Sequence, residues 1–170
     1  MEELKNRGLA TSHLVVELRD TFKAARTILS DDCIDLSLGL KMLNRLRRSA
    51  YEKMNQIQHE ALLLEGIKHL KSKGLLRNNR IYWNPRQTGT KNEPDLRIVD
   101  RSGKVTLSAE ATTSFEPKGF IDTRMAETLK KLSTFPGSKF YFVMSEEMRK
   151  RAESKISKAD YAIAVVVVGL

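Results

Sequence analysis

One cysteine, Cys33, stands among 170 residues, so no disulfide can form within the chain. A lone thiol fits a reducing cytoplasm, where structural disulfides are rare. Long hydrophobic runs are also missing. The longest, Tyr161 to Val168 (YAIAVVVV), falls far short of the roughly 20 residues that a membrane helix needs. Its four consecutive valines predict a buried strand instead. The N-terminal MEELKNRGLATSHL has no basic segment leading into an apolar core, so no signal peptide is expected. His13, His59 and His69 have no metal-ligand spacing with one another or with Cys33, which argues against a zinc site. TGTKNEP is not a glycine-rich phosphate loop. Repeats and low-complexity linkers are absent too. These gaps together predict a soluble, cytoplasmic protein with no membrane partner.

What is present is a globular composition, 41% hydrophobic and 30% charged, of a length that fits one domain with an ordinary core. The formal charge of +9 and pI near 9.7 favour a polyanionic partner such as nucleic acid. That charge is unevenly placed. Residues 1–40 carry five Lys/Arg against seven Asp/Glu, whereas residues 41–170 carry 25 against 14. The positive field belongs to the C-terminal part.

Hydrophobic spacing divides the chain. Residues 11–29 put Leu14, Val15, Leu18, Phe22, Ala25 and Leu29 on one helical stripe, with Thr11 or Ser12 as N-cap. A second helical pattern starts near Ser30-Asp31-Asp32. A third, opened by a capping box at Ser49 and Glu52 or continuing unbroken from the second, carries Met54, Ile57, Ala61, Leu64, Ile67 and Leu70 inward and stops at Gly74. The period then shortens. Residues 80–84, 95–100 and 104–112 read as strands, and 119–133 as a helix with Ile121, Met125, Leu129 and Leu132 inward. KFYFVM, SEEMRKRAESKIS and YAIAVVVV follow as strand, charged helix and strand. In the charged helix, Glu146–Lys150 and Glu147–Arg151 are expected i,i+4 pairs on a solvated face. The expected architecture is an α/β core over residues 49–170 with a helical N-terminal extension over 1–48.

Strands 95–100 and 104–112 are too close for a crossover helix and must pair antiparallel. With Ser102-Gly103 as a two-residue turn, Leu96 faces Ala109 and Ile98 faces Leu107, which builds one apolar face. A three-residue loop would set Leu96 against Ser108 and spoil that face. On the other face Asp95 falls opposite Glu110. Opposed carboxylates repel unless a cation lies between them, and Mg²⁺ commonly takes one or two carboxylates plus water and phosphate oxygens. A solvated acidic pair, softened by Arg97 and Lys91, is the plainer reading. Glu60 is a third acid, placed on the inward helical stripe by Ile57, Leu64 and Ile67, whereas Glu65 reads as a surface residue.

Glu60 on a helix, then a strand, then Pro94-Asp95, then Glu110-Ala111-Thr112 on the next strand, resembles the PD-(D/E)XK nuclease superfamily, whose members include Holliday-junction resolvases. The resemblance covers roughly residues 50–145. It implies a restriction-endonuclease-like mixed β-sheet flanked by helices. It also implies Mg²⁺ or Mn²⁺ held by Asp95, Glu110 and the backbone carbonyl of Ala111, with Glu60 acting through water or on a second metal. The bound metal would activate water and stabilise charge on the scissile phosphate. The departure is Thr112, where the family usually has lysine. Either another basic residue reaches in, Arg124 first, then Lys118, then Lys91, or catalysis is impaired.

The resulting expectation is a divalent-metal-dependent DNA endonuclease or resolvase. The alternative is an inactive nucleic-acid-binding module on the same fold, and a protein-interaction domain is a more distant third. Lys41, Arg45, Arg47 and Arg48 form a basic cluster that suits either phosphate contact or a solvated face. Tyr82 and Trp83 suit either base stacking or rim packing. The apolar N-terminal helices suggest a homodimer, or else a layer folded onto their own domain.

Overall fold

In a computed structural model, residues 1–30, 35–76, 78–86 and 92–169 are described. Cys33 and Lys91 lie outside those residues, as does the expected start of the second helix at Asp31-Asp32. The elements in order are β1 (Glu2–Glu3), α1 (Arg7–Leu29), α2 (Leu36–Leu46), a π-helical turn (Arg47–Tyr51) and α3 (Glu52–Ser72). They continue with β2 (Arg80–Trp83), β3 (Leu96–Val99), β4 (Val105–Thr112), α4 (Phe120–Ser133), β5 (Ser138–Val143), α5 (Glu146–Ala159) and β6 (Ile163–Val167). The chain forms two compact units. One joins Met1–Lys5 to His59–Leu170, and the other is Asn6–Gln58.

The first unit is built on a mixed six-stranded sheet in the order β1-β2-β3-β4-β5-β6. β1 to β4 pair antiparallel, and β4, β5 and β6 are parallel. The parallel crossovers are supplied by α4 and α5. Met125, Leu129 and Leu132 of α4, Met148 and Ala152 of α5, and Tyr141, Val143 and Ile163 of the sheet form one core layer, as the helical spacing of α4 predicts. On the opposite face, α3 comes so close that a Cβ on Gly66 would lie 2.6 Å from the Phe142 ring. Glycine is the only residue that lets the helix backbone pass there. Leu62, Leu63 and Leu70 are fully buried along α3, each contributing about 1.5–3 kcal/mol of apolar burial. The C-terminus of α3 closes as its sequence predicts, with the Leu75 amide donating to the Leu70 carbonyl just after Gly74.

The β3–β4 hairpin keeps the expected pairs, Leu96 with Ala109 and Ile98 with Leu107, by a different route. Its loop has three residues, Arg101 to Gly103, with Asp100 bonded to Lys104 and Gly103 at φ +89. The Asp100 carboxylate accepts from the Ser102 amide, the Ser102 hydroxyl and the Lys104 amide, which fixes the turn. A β-bulge at Thr106 then absorbs one residue, because Val99 pairs with Val105 before Ile98 pairs with Leu107. The two-residue turn is therefore corrected, and the bulge restores the apolar face that a three-residue loop alone would have lost. Neither strand shows the alternating burial of a half-covered sheet. Leu107 to Ala111 are buried without interruption, because β4 lies inside the sheet with helices on both faces. β6 is the reverse case: its valines lie at the sheet edge and are only partly covered. In α5, Arg149 pairs with Glu146 and Glu153, while Arg151 forms a bidentate pair with Asp122 of α4, so the two expected i,i+4 pairs are not the ones formed.

In the second unit, α1 begins four residues earlier than its apolar stripe suggested. Asn6 is the N-cap, its side chain accepting from the Leu9 amide at 3.0 Å. The covered stripe is rotated from the expected one. Leu14 and Thr21 are buried, while Val15, Phe22 and Leu29 are exposed. Asp35 caps α2, and no residue of α2 is buried. The Ser49 hydroxyl donates back to the Arg45 carbonyl instead of opening a capping box, and α2 runs through the π turn into α3. Met54, expected inward, is exposed. No helix among the described residues is long and apolar enough to cross a membrane.

Candidate functional site

Glu110 lies in the middle of β4, on the sheet face that α4 covers, and Asp95 stands one residue before β3, at the strand end where it meets His59 of α3. The β4–β5 register sets Glu110 beside Tyr141 and Thr112 beside Val143, all pointing to that face. Both acids are buried, at 6% and 5% exposure. Asp95 is held by the backbone it faces, because the Ala111 amide donates to Asp95 Oδ2 at 2.9 Å. Burial and the neighbouring Asp95 carboxyl push the Glu110 carboxyl up to about 8. At neutral pH the Glu110 carboxyl therefore keeps its proton unless a cation meets it.

Two residues that the sequence did not place in the site flank this pair. The first is His59 of α3, buried, with Nε2 3.1 Å from Asp95 Oδ2 and Nδ1 3.0 Å from the Pro85 carbonyl. A carbonyl only accepts, so Nδ1 carries a proton, and a second proton on Nε2 suits the carboxylate opposite. Burial drives the imidazole pKa down, but Asp95 and the Pro85 carbonyl outweigh it and the net shift is upward. The second is Lys131 of α4, whose Nζ lies 2.8 Å from Glu110 Oε1 and 5.5 Å from the centre of the Phe135 ring. This contact is an ion pair at angles outside those of a hydrogen bond, so Glu110 Oε1 remains a buried oxygen with no hydrogen-bond donor. The Lys131 side chain is a third exposed, so its ammonium bridges the buried pair and solvent.

The other expected residues take different places. Glu60 is buried on α3, next in sequence to His59, as its stripe predicted, and Glu65 is a surface residue paired with Lys68. Thr112 does share the Glu110 face, but its Oγ1 accepts from the Tyr141 hydroxyl at 2.7 Å. Burial pushes that phenol up to about 12, and the Thr112 bond and the Arg124 charge only partly offset the rise. Arg124 is exposed and makes no ion pair with Asp95 or Glu110, although its charge is felt by the Tyr141 phenol. Lys118 is exposed and paired with Glu116, which removes it from the site. Arg97 pairs with neither acid and does not soften their charge.

Lys131 was missed because its charge is read from the helix surface pattern. Leu129 and Leu132 mark the buried stripe, and a lysine between them looks solvated. Only the packing of α4 on β4 shows that its long stem bends back over the sheet. The apolar context of His59, between Ile57 and Leu62, is the one sequence signal that could have placed it.

Among the described residues no group of three or more His, Cys, Asp or Glu side chains is arranged around one point as a metal cage. The donors that do converge are hard oxygens: two carboxyls, one bearing an unsatisfied buried oxygen, beside the Ala111 backbone. That set fits a small divalent cation completed by water and phosphate oxygens, and does not fit zinc. Compared with known protein families, curated proteins and solved structures, the chain matches none of them.

Proposed function

We propose that the chain is a divalent-metal-dependent nuclease that hydrolyses phosphodiester bonds in DNA, as an endonuclease or resolvase. The observation that carries this reading is the Asp95–Glu110 pair, two carboxyls buried side by side, where burial first and the Asp95 charge second push Glu110 up to about 8. Asp95, Glu110 and the Ala111 carbonyl would hold Mg²⁺ or Mn²⁺, and the ion, when bound, would supply Lewis-acid polarisation of the phosphate. The chain's own groups do the rest. The Ala111 amide orients Asp95. His59 Nε2 stands 3.1 Å from the same Asp95 oxygen, with Nδ1 anchored on the Pro85 carbonyl. Lys131 supplies the positive charge that Thr112 cannot, arriving from α4 instead of from β4, and stands where it can stabilise a phosphate bound over Glu110.

A specific observation also favours the alternative of a binding module without turnover. His59 and Lys131 already stand against the two acids within the protein, and the Thr112 hydroxyl accepts from Tyr141. The two readings separate in one experiment. Labelled single-stranded, duplex and four-way-junction DNA is incubated with Mg²⁺, Mn²⁺ or EDTA, using the wild type and Asp95→Ala. The nuclease reading expects metal-dependent cutting that disappears in Asp95→Ala while DNA binding persists. Binding without cutting under any metal would establish the module instead.

A further inference from the structure

The sheet face that holds Asp95 and Glu110 continues past α4. This helix packs chiefly on β4, β5 and β6. Register determines what lies there. Arg97 is opposite Ser108 on one side and Tyr82 on the other, and Arg80 is opposite Val99. Side chains alternate along a strand, so Arg97 shares the face of Asp95 about 6.7 Å further along β3, and Tyr82 and Arg80 continue it on β2. Tyr82 is half-buried and Arg80 exposed.

Arg97 is the unusual member. Its Nε is buried and has no hydrogen-bond partner, and the guanidinium makes no ion pair among the described residues. An unsatisfied buried donor on a cation is expensive, and arginine's planar fork matches phosphate or carboxylate oxygens. Of the acids on this face, Asp95 is held by the Ala111 amide and His59 and Glu110 by Lys131, and Glu3, across Tyr82 in the same row, forms no ion pair with Arg97. No partner meets Arg97 Nε among the described residues, and the guanidinium fork suits an external anion. The neighbouring tyrosine offers a ring face at cross-strand distance, which suits a base or sugar next to that anion.

We infer that Arg97 and Tyr82 form a strand-binding platform beside the carboxylate pair. Arg97 takes a backbone phosphate neighbouring the one over Glu110, and Tyr82 stacks on the adjoining nucleotide. This rests on the nucleic-acid reading given above and names the residues that grip the strand. The geometry also assigns the direction of travel: the strand crosses from β4 toward β2, across the strands of the sheet.

The test is fluorescence anisotropy with a labelled DNA oligonucleotide in EDTA, over a series of salt concentrations, for wild type, Arg97→Gln, Arg97→Lys and Tyr82→Ala. Arg97→Gln is expected to lower the slope of log affinity against log salt by about one, as loss of one phosphate contact requires. Arg97→Lys keeps the charge and is expected to keep the slope, which excludes misfolding as the cause. Tyr82→Ala is expected to weaken binding by about tenfold with the slope unchanged, as stacking predicts. A wild-type slope in Arg97→Gln overturns the platform even if the protein cuts DNA. The expected slope change without cutting under any metal would leave the platform standing and remove the nuclease reading. A wild type that binds no DNA would overturn both.

Discussion

Replacing Glu110 by glutamine tests the carboxylate pair with no assumption about substrate. The folded-state carboxyl is raised from 4.5 to about 8. A raised pKa means that the native state holds a proton that the unfolded state has released. Its stabilising contribution is complete below the unfolded value and is lost as pH climbs through the folded one. Between about pH 5 and about pH 7.5 the unfolded carboxyl is ionised while the folded one is not. Each pH unit then removes about 1.4 kcal/mol, or about 3 kcal/mol across that window. Glutamine keeps the shape and carries no charge, so Glu110→Gln should match the wild type near pH 5 and be about 3 kcal/mol more stable near pH 7.5. His59, whose pKa is raised mainly through Asp95 and only lastly by Glu110, titrates in both proteins. The assay is urea unfolding in EDTA across this range, followed by the fluorescence of Trp83, the single tryptophan, buried in β2 of the same unit. A stability difference that stays constant with pH would refute the reasoning and show that Lys131 alone keeps Glu110 ionised.

Two other outcomes follow from neighbouring geometry. Gly66→Ala would place a methyl 2.6–2.9 Å from three Phe142 ring atoms. It should destabilise the protein by about 1–3 kcal/mol in denaturant unfolding despite alanine's better helix propensity, and Phe142→Leu should recover part of the loss. Lys131→Met should lower any metal-dependent cleavage rate by about 100-fold, and Lys131→Arg should keep more of it. Lys118→Ala should leave the rate unchanged, and equal losses at positions 131 and 118 would contradict the placement of the cation.

Local periodicity determined most of the element list, because burial of one face is written directly into spacing. The α4 stripe of Met125, Leu129 and Leu132 and the Leu96–Ala109 and Ile98–Leu107 pairs are examples. The same reasoning placed Asp95 against Glu110 and turned Glu60 inward, since a one-residue slip would have moved every side chain to the wrong face. Where an apolar stripe has no cover, the inference fails. Val15, Phe22 and Leu29 follow a helical period and are nonetheless exposed. The bulge at Thr106 was hidden for another reason, since apolar pairing constrains register without saying how the turn achieves it.

What only the tertiary structure decided is which charges meet. Ion pairs between distant elements leave no mark on local spacing, because a long lysine or arginine stem reads as solvated wherever its helix is amphipathic. Lys131 reaching Glu110, His59 bridging Asp95 to the Pro85 carbonyl, and Arg151 crossing to Asp122 all depend on how helices lie on the sheet. The sequence by itself determined the two carboxylates and their strands. Packing chose the lysine and the histidine that surround them, because electrostatic partners are selected by distance in space and the sequence records only distance along the chain.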